Sequence, residues 1–154
     1  MNVTETILHA SVKIQKLHPE AVIPTYGSDS AAGADLYACL PDSITIAAGG
    51  TAFIPTGLAM EIPQGYAGFI YARSGLACKK GLAPANKVGV IDADYRGEIM
   101  VALHNHSKDD ITVESGERIA QIVIAPYLRA DFSEVTSLSE TLRGTGGFGS
   151  TGTH

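Results

Sequence analysis

In the run "GVIDADYRGEI", Asp92 follows an apolar stretch that reads as a buried strand, and Asp94, Tyr95 and Arg96 crowd behind it. A carboxylate at a strand end can act as general base when it holds a water near an electrophile. The same residues also fit a hairpin turn from Asp92 to Gly97, with aspartates bonding their own backbone. Upstream, "ARSGLA" sets Arg73, Ser74 and Gly75 where a strand yields to a short helix. Free N–H groups gather there, and an arginine can fork onto phosphate oxygens. For so short a motif taken alone, an ordinary turn with a surface arginine is the commoner outcome. The chain closes on "RGTGGFGSTG", residues 143–152. Gly/Ser/Thr composition at a chain end reads first as a flexible tail. The order of residues reads differently: a leading Arg143, glycines that free backbone N–H groups, and Ser150-Thr151 hydroxyls suit a polyphosphate. Phe148 gains nothing in a linker but suits a lid over an apolar ligand face.

Other polar residues stay bland in isolation. Asp29 and Asp35 in "SDSAAGADLYA", and Glu117, Arg118 and Gln121 in "GERIAQIV", fit turn chemistry or a solvated strand face. His9, His18, His104 and His106 show no nucleophile–base pairing and read as structural or surface groups. Cys39 and Cys78 make no disulfide framework. With no paired CxxC, and only His104 and His106 nearby in sequence, a closed zinc site is disfavoured.

The elements that must position these residues are short strands. "GEIMVALHN" puts Ile99, Val101 and Leu103 on one face, and "SVKIQKL", "SITI", "TAFIPTGLAMEI", "YAGFIYA" and "ITVESGERIAQIVIAPYL" carry similar apolar or β-branched patterning. Gly and Pro punctuate them at Pro41-Asp42, Gly49-Gly50, Pro63-Gln64-Gly65 and Ser115-Gly116. This spacing predicts an all-β sandwich or barrel rather than alternating βα units. One brief helix is predicted over "SGLACKK", closed by Gly81. The chain reads as a single β domain over residues 1–142 with a mobile arm over 143–154.

Its 154 residues can bury a real core, and a net charge of −5 does not suggest general nucleic-acid or anionic-membrane binding. No apolar run approaches a membrane span, so a reduced, cytoplasmic setting is the default. Binding a triphosphate would then need local cations, backbone donors or a metal.

Taken in order, "AGADLYA" (32–38), "ARSGLA" (72–77), "GVIDADYRGEI" (89–99), "GERIAQIV" (116–123) and "RGTGGFGSTG" (143–152) resemble the five motifs of the trimeric dUTPase family. The resemblance runs from about Val12 to Gly152. It implies a jelly-roll (β-clip-like) fold, a homotrimer, and Mg²⁺-dependent hydrolysis of dUTP to dUMP and pyrophosphate by water attack at the α-phosphate. That reaction limits uracil incorporation into DNA and supplies dUMP for thymidylate synthesis.

The resemblance also implies roles. Asp92 matches the residue that activates the attacking water. Arg73, Ser74, Gly75 and Gln121 match the phosphate contacts, and Arg143, Gly149, Ser150 and Thr151 match those of a closing arm. Asp35 matches the aspartate that holds the water shell of Mg²⁺, an outer-sphere group. The segment "APANKVGVID" resembles the hairpin whose backbone pairs with the uracil edge, with Asn86, Gly89, Val90 and Ile91 at the matching positions and Met100 adding a nearby contact. Fixed backbone groups left unpaired against cytosine can reject it by about 10⁴-fold or more. Tyr95 matches the aromatic that packs under deoxyribose and excludes a 2′-hydroxyl, and Phe148 matches the one that stacks over uracil. By the same resemblance, each site draws its first, second and fourth motifs from one subunit, the third from another and the arm from the remaining one.

Two rival readings share this fold. A dCTP deaminase resembles Arg-Ser-Ser where this chain has Gly75, and its catalytic Glu corresponds to Ala102. A catalytically idle, nucleotide-sensing trimer would be expected to lose Asp92 or the arm, and both are present.

Overall fold

The computed structural model describes residues 7–149 and 152. Eleven strands alternate with turns: β1 (Lys13–Lys16), β2 (Thr25–Tyr26), β3 (Ala34–Tyr37), β4 (Ile44–Ile46), β5 (Thr51–Glu61), β6 (Tyr66–Tyr71), β7 (Leu82–Pro84), β8 (Gly89–Ile91), β9 (Glu98–Asn105), β10 (Ile111–Val113) and β11 (Arg118–Pro126). A four-stranded sheet, ordered β1-β5-β9-β7, faces a five-stranded sheet, ordered β2-β3-β11-β6-β8, and β10 pairs with β4 as a small third sheet. Every pairing is antiparallel. This is the all-β jelly-roll architecture that the strand patterning predicts.

Period-two alternation fills the sandwich. Ile99, Val101 and Leu103 of β9 are buried, as their common face requires, against Leu36 of β3, Ile70 of β6 and Ile122 of β11. Each such side chain contributes about 1.5–3 kcal/mol when removed from water. Two polar residues share the interior, and both are satisfied. Thr56 Oγ1 donates to the Ile99 carbonyl at 2.6 Å. Asn105 Nδ2 donates to the carbonyls of Ile46 and Asp109, while its Oδ1 accepts from the Ser107 backbone and hydroxyl. Asn105 thereby ties the end of β9 to β4 and to the turn leading into β10.

The predicted helix is a single wide π-type turn, Leu76–Lys80, with Leu76 buried against the core. Gly81 ends it in the left-handed region at φ 77°, its N–H bonding back to the carbonyls of Leu76 and Ala77. A Cβ at Gly81 would also press within 3.2 Å of Ser107. After β11 the chain leaves the sandwich: Tyr127 N–H still bonds Gly65, but Leu128, Phe132, Leu138 and Leu142 are almost wholly exposed. Strand structure and burial are therefore already lost by residue 128, ahead of the glycine-rich stretch.

Candidate active site

Three neighbouring strands of the five-stranded sheet bring together residues far apart in sequence. Gln121 on β11 lies across from Asp35 on β3 and, on its other side, from Tyr71 on β6. Arg73 follows the end of β6 and folds back onto Asp35, Nε donating to Oδ1 at 2.8 Å. The Asp35 side chain is only 13% exposed and that of Arg73 27%, so the pair is largely shielded from solvent. Arg118, at the start of β11, reaches the other carboxylate oxygen at 3.6 Å. Gln121 Nε2 donates to the Ala72 carbonyl at 2.8 Å, which ties β11 to the backbone just before Arg73. Gly33 makes room for this amide, since a Cβ there would collide with the Gln121 side chain.

Ser74 and Gly75 open the helical turn directly after Arg73, with Gly75 in ordinary right-handed geometry at φ −63°. Arg73, Gly75, Lys79, Lys80 and Arg118 then line a groove of about 400 Å³, with Glu117 the acidic residue at its rim. In a chain of net charge −5, this groove gathers four cations. Such a local excess of positive charge concentrates anionic ligands.

The third motif lies elsewhere on the protomer. The segment expected as a hairpin bridges the sandwich instead: β7 pairs with β9 in one sheet, while β8 pairs with β6 in the other. The bond from Ala85 N–H to Ala102 continues the first ladder, and Gly89 joins the second across from Ile70. The two strands diverge because each finds its ladder partner in a different sheet. Gly89 also sits close under the Asn86 amide, where a Cβ would be 3.4 Å from Nδ2. Val90 is exposed and Ile91 half-buried.

Asp92 leaves β8 into a loop, residues 92–97, that returns the chain to β9 in the opposite sheet; a simple hairpin turn is thereby excluded. Within the loop, Tyr95 N–H bonds the Asp92 carbonyl and Tyr95 Oη donates to the Glu98 carbonyl at 2.9 Å. Gly97 accommodates the ring, because a Cβ there would overlap it. Asp92 lines a broad groove of about 930 Å³ with Lys13, Glu61, Arg96 and Arg129. Met100, on the outer face of β9, lies across from Pro55 and is partly exposed.

The structure thus unites Asp35, Arg73, Ser74, Gly75 and Gln121 but keeps them from Asp92. Continuing the Ile91–Gly68 register sets Asp92 beside Ala67, at the opposite end of β6 from Arg73. Six residues at about 3.3 Å each make that roughly 20 Å along the strand. In the arm, Arg143 Nε bonds the Gly146 carbonyl, Phe148 is fully exposed at φ 52°, and Gly149 is exposed. Ser150 and Thr151 lie outside the described residues.

Arg118 and Gly33 join the site without having stood out in the sequence, although both fall inside the motif stretches. Among the described residues, no group of three His, Cys, Asp or Glu side chains is placed to hold a metal ion. Ala102, where a deaminase carries its acid, faces Phe53 on β5. No helix among the described residues is long and apolar enough to cross a membrane.

A family model for dUTPase matches residues 19–152. The deoxyuridine 5′-triphosphate nucleotidohydrolase of Syntrophotalea carbinolica is 47% identical over 92% of this chain and 97% of its own. That of Rickettsia felis is 51% identical over 92% and 96%. In structure, the dUTPase of Staphylococcus bacteriophage 80alpha with bound dUpNHpp superimposes with a TM-score of 0.84 at 27% identity, covering 93% of this chain and 99% of that one. An antiparallel jelly roll that presents an Arg-Ser-Gly turn beside a fixed Asp and Gln defines a phosphate-handling nucleotide site. The chain belongs to the dUTPase family.

Proposed function

We propose that this protein hydrolyses dUTP to dUMP and pyrophosphate, with Asp92 as the base for water and the Asp35–Arg73–Gln121 cluster as the phosphate anchor. The observation that carries the assignment of the anchor is the Asp35–Arg73 pair at the mouth of a basic groove, directly before the Ser74-Gly75 turn. Water is a poor nucleophile near neutral pH, and a fixed carboxylate takes its proton as the new P–O bond forms. The remaining work is positioning and neutralisation of charge. Arg73 and the N–H groups at Ser74-Gly75 suit the phosphate oxygens, and Arg118, Lys79 and Lys80 raise the local positive potential. Asn86, Gly89, Val90 and Ile91 would read the uracil edge, with Met100 nearby and Tyr95 under the deoxyribose. Arg143, Phe148, Gly149, Ser150 and Thr151 would close over the bound nucleotide.

The dUTPase from phage phi11 of S. aureus, 22% identical and alike in fold with a TM-score of 0.76, coordinates a structural Mg(II) ion. Mg²⁺ is the cofactor expected for the present reaction, and when bound it supplies charge neutralisation across the three phosphates. The residues present fit an ion held chiefly by phosphate and water, as Mg²⁺ often is, since no three-ligand protein cage occurs among the described residues. Asp35 is suited to the outer water shell only, because its oxygens already face Arg73 and Arg118.

A single protomer holds the two halves of this chemistry roughly 20 Å apart by strand geometry, so the reading requires further copies of the chain. A homotrimer would bring the Asp92 loop of one copy to the Arg73 groove of another and lay the exposed residues 128–149 across a neighbour. Exposed Phe53 and Met100 on the outer face of the four-stranded sheet, with Leu128, Phe132 and Leu138 beyond β11, offer apolar surface for such contacts. The deciding assay is pyrophosphate release from dUTP with Mg²⁺, run beside dCTP, dTTP and UTP. Rapid release from dUTP alone is expected, and comparable turnover of dCTP or UTP would overturn the substrate assignment.

A further inference from the structure

We infer that Arg96, steadied from β5 by Glu61, is a positioning residue that holds the loop bearing Asp92 and Tyr95. This inference rests on the reading of that loop given above.

The loop of residues 92–97 crosses from one sheet to the other and cannot draw on a ladder from either for its shape. Its backbone carbonyls need partners of another kind. Arg96 supplies them. Its Nη1 donates to the Ala93 carbonyl at 2.6 Å and to the Tyr95 carbonyl at 3.2 Å, closing the turn that directly follows Asp92. Bonds from a charged donor are the stronger kind. The same guanidinium reaches out of the loop, with Nη2 at 3.5 Å from Glu61 Oε1.

Sheet register explains why Glu61 is there. Ala59 lies across from Glu98, and continuing that antiparallel register by two residues sets Glu61 beside Arg96. Glu61 is itself held by Lys13 at 2.9 Å, so the chain of charges runs from β1 through β5 to the loop. Lys13 and then Arg96 hold the Glu61 carboxyl below its ordinary range, which keeps it ionised and available to the guanidinium. A half-exposed ion pair at 3.5 Å contributes little to global stability. What it can do is select one orientation of Arg96, and with it one placement of the Ala93 and Tyr95 carbonyls. Because Tyr95 also bonds the Glu98 carbonyl, the ring and the carboxylate of Asp92 are fixed from both ends of the loop.

The test is R96A, with R96K and E61A beside it, assayed for dUTP and UTP turnover and for thermal melting. R96A is expected to lower kcat/KM for dUTP by about tenfold or more and to cut the preference for dUTP over UTP by at least about fivefold. Its melting temperature should stay within about 3 °C, as for a surface substitution. Both carbonyl bonds come from one nitrogen, so R96K should recover most of the preference. E61A should move the same ratio in the same direction by a smaller factor. A folded R96A whose dUTP-over-UTP preference lies within twofold of the parent overturns the inference. If R96A does not fold, an unchanged ratio in E61A does so. D92N separates this from the underlying reading: full turnover by D92N refutes the role of the loop itself, whereas inactive D92N with unaffected R96A refutes positioning alone.

Discussion

Arg73 and Asp35, distant in sequence, meet through a 2.8 Å bond from Nε to Oδ1, with Arg118 on the other carboxylate oxygen. The Asp35 carboxylate therefore has a second task beside any contact with the water shell of a metal: it sets the direction of the guanidinium that faces the phosphates.

D35N distinguishes the two tasks. The amide keeps an acceptor for Arg73 but loses the charge, leaving Arg73 and Arg118 repelling each other across a partly shielded site. We expect KM for dUTP to rise and kcat to fall, together lowering kcat/KM by about 10- to 100-fold, the order of one or two transition-state contacts. Steady-state kinetics across a Mg²⁺ titration decides the cause. If excess Mg²⁺ restores the rate, Asp35 acts through the metal alone; persistence of the defect at saturating Mg²⁺ assigns it to the arginines.

That ion pair also marks where reading along the chain stops. The Ile99, Val101 and Leu103 face was legible because strand periodicity is a local property, and Gly81 was legible as a helix stop because only glycine takes φ 77° without strain. The resemblance of five ordered motifs pointed to the polar residues of the site, but not to how they touch. The Asp35–Arg73 contact depends on the order β3-β11-β6, and the Glu61–Arg96 contact depends on the β5–β9 register. Both are long-range pairings without a local signature. The divergence of β7 and β8 was hidden for the same reason, since two short strands around a loop look alike whether they pair with each other or with different sheets. Leu128, Phe132 and Leu138 gave no warning of their exposure, because apolar residues ordinarily signal burial.

His106 provides a pH-dependent prediction. Desolvation, then the neighbouring His104 and Lys87, holds its pKa below the ordinary value of 6.5. The two imidazoles meet edge to face, with centroids 4.4 Å apart. A histidine that resists protonation when folded is protonated more readily in the unfolded chain, so the unfolded state binds more protons as pH falls. The associated stability is present above pH 6.5 and is lost as pH falls toward the depressed folded value. Melting temperatures recorded between pH 7.5 and 5.5 should therefore decline, and H106Q should flatten that decline without changing the melt at pH 7.5. An identical slope in H106Q would show that other groups control this window.

The division of the site between copies of the chain predicts rescue by mixing. D92N retains the Arg73 groove but lacks the base, whereas R73A retains Asp92 but lacks the phosphate anchor, so each variant alone should turn over dUTP very slowly. Along β6 the two positions are roughly 20 Å apart within one protomer, too far for both to touch one triphosphate centre. If the anchor of one subunit faces the base of another, a mixed trimer contains sites with an intact Arg73 from a D92N subunit and an intact Asp92 from an R73A subunit. Random assembly of equal amounts in a cyclic oligomer gives each site about one chance in four of being whole. Co-expression of the two variants with different affinity tags, followed by sequential purification on both, isolates mixed trimers. They should recover a substantial fraction of parental activity while each homotrimer stays inactive. Mixed trimers as inactive as their parents, with light scattering showing intact trimers, would place base and anchor in the same subunit and overturn the shared site.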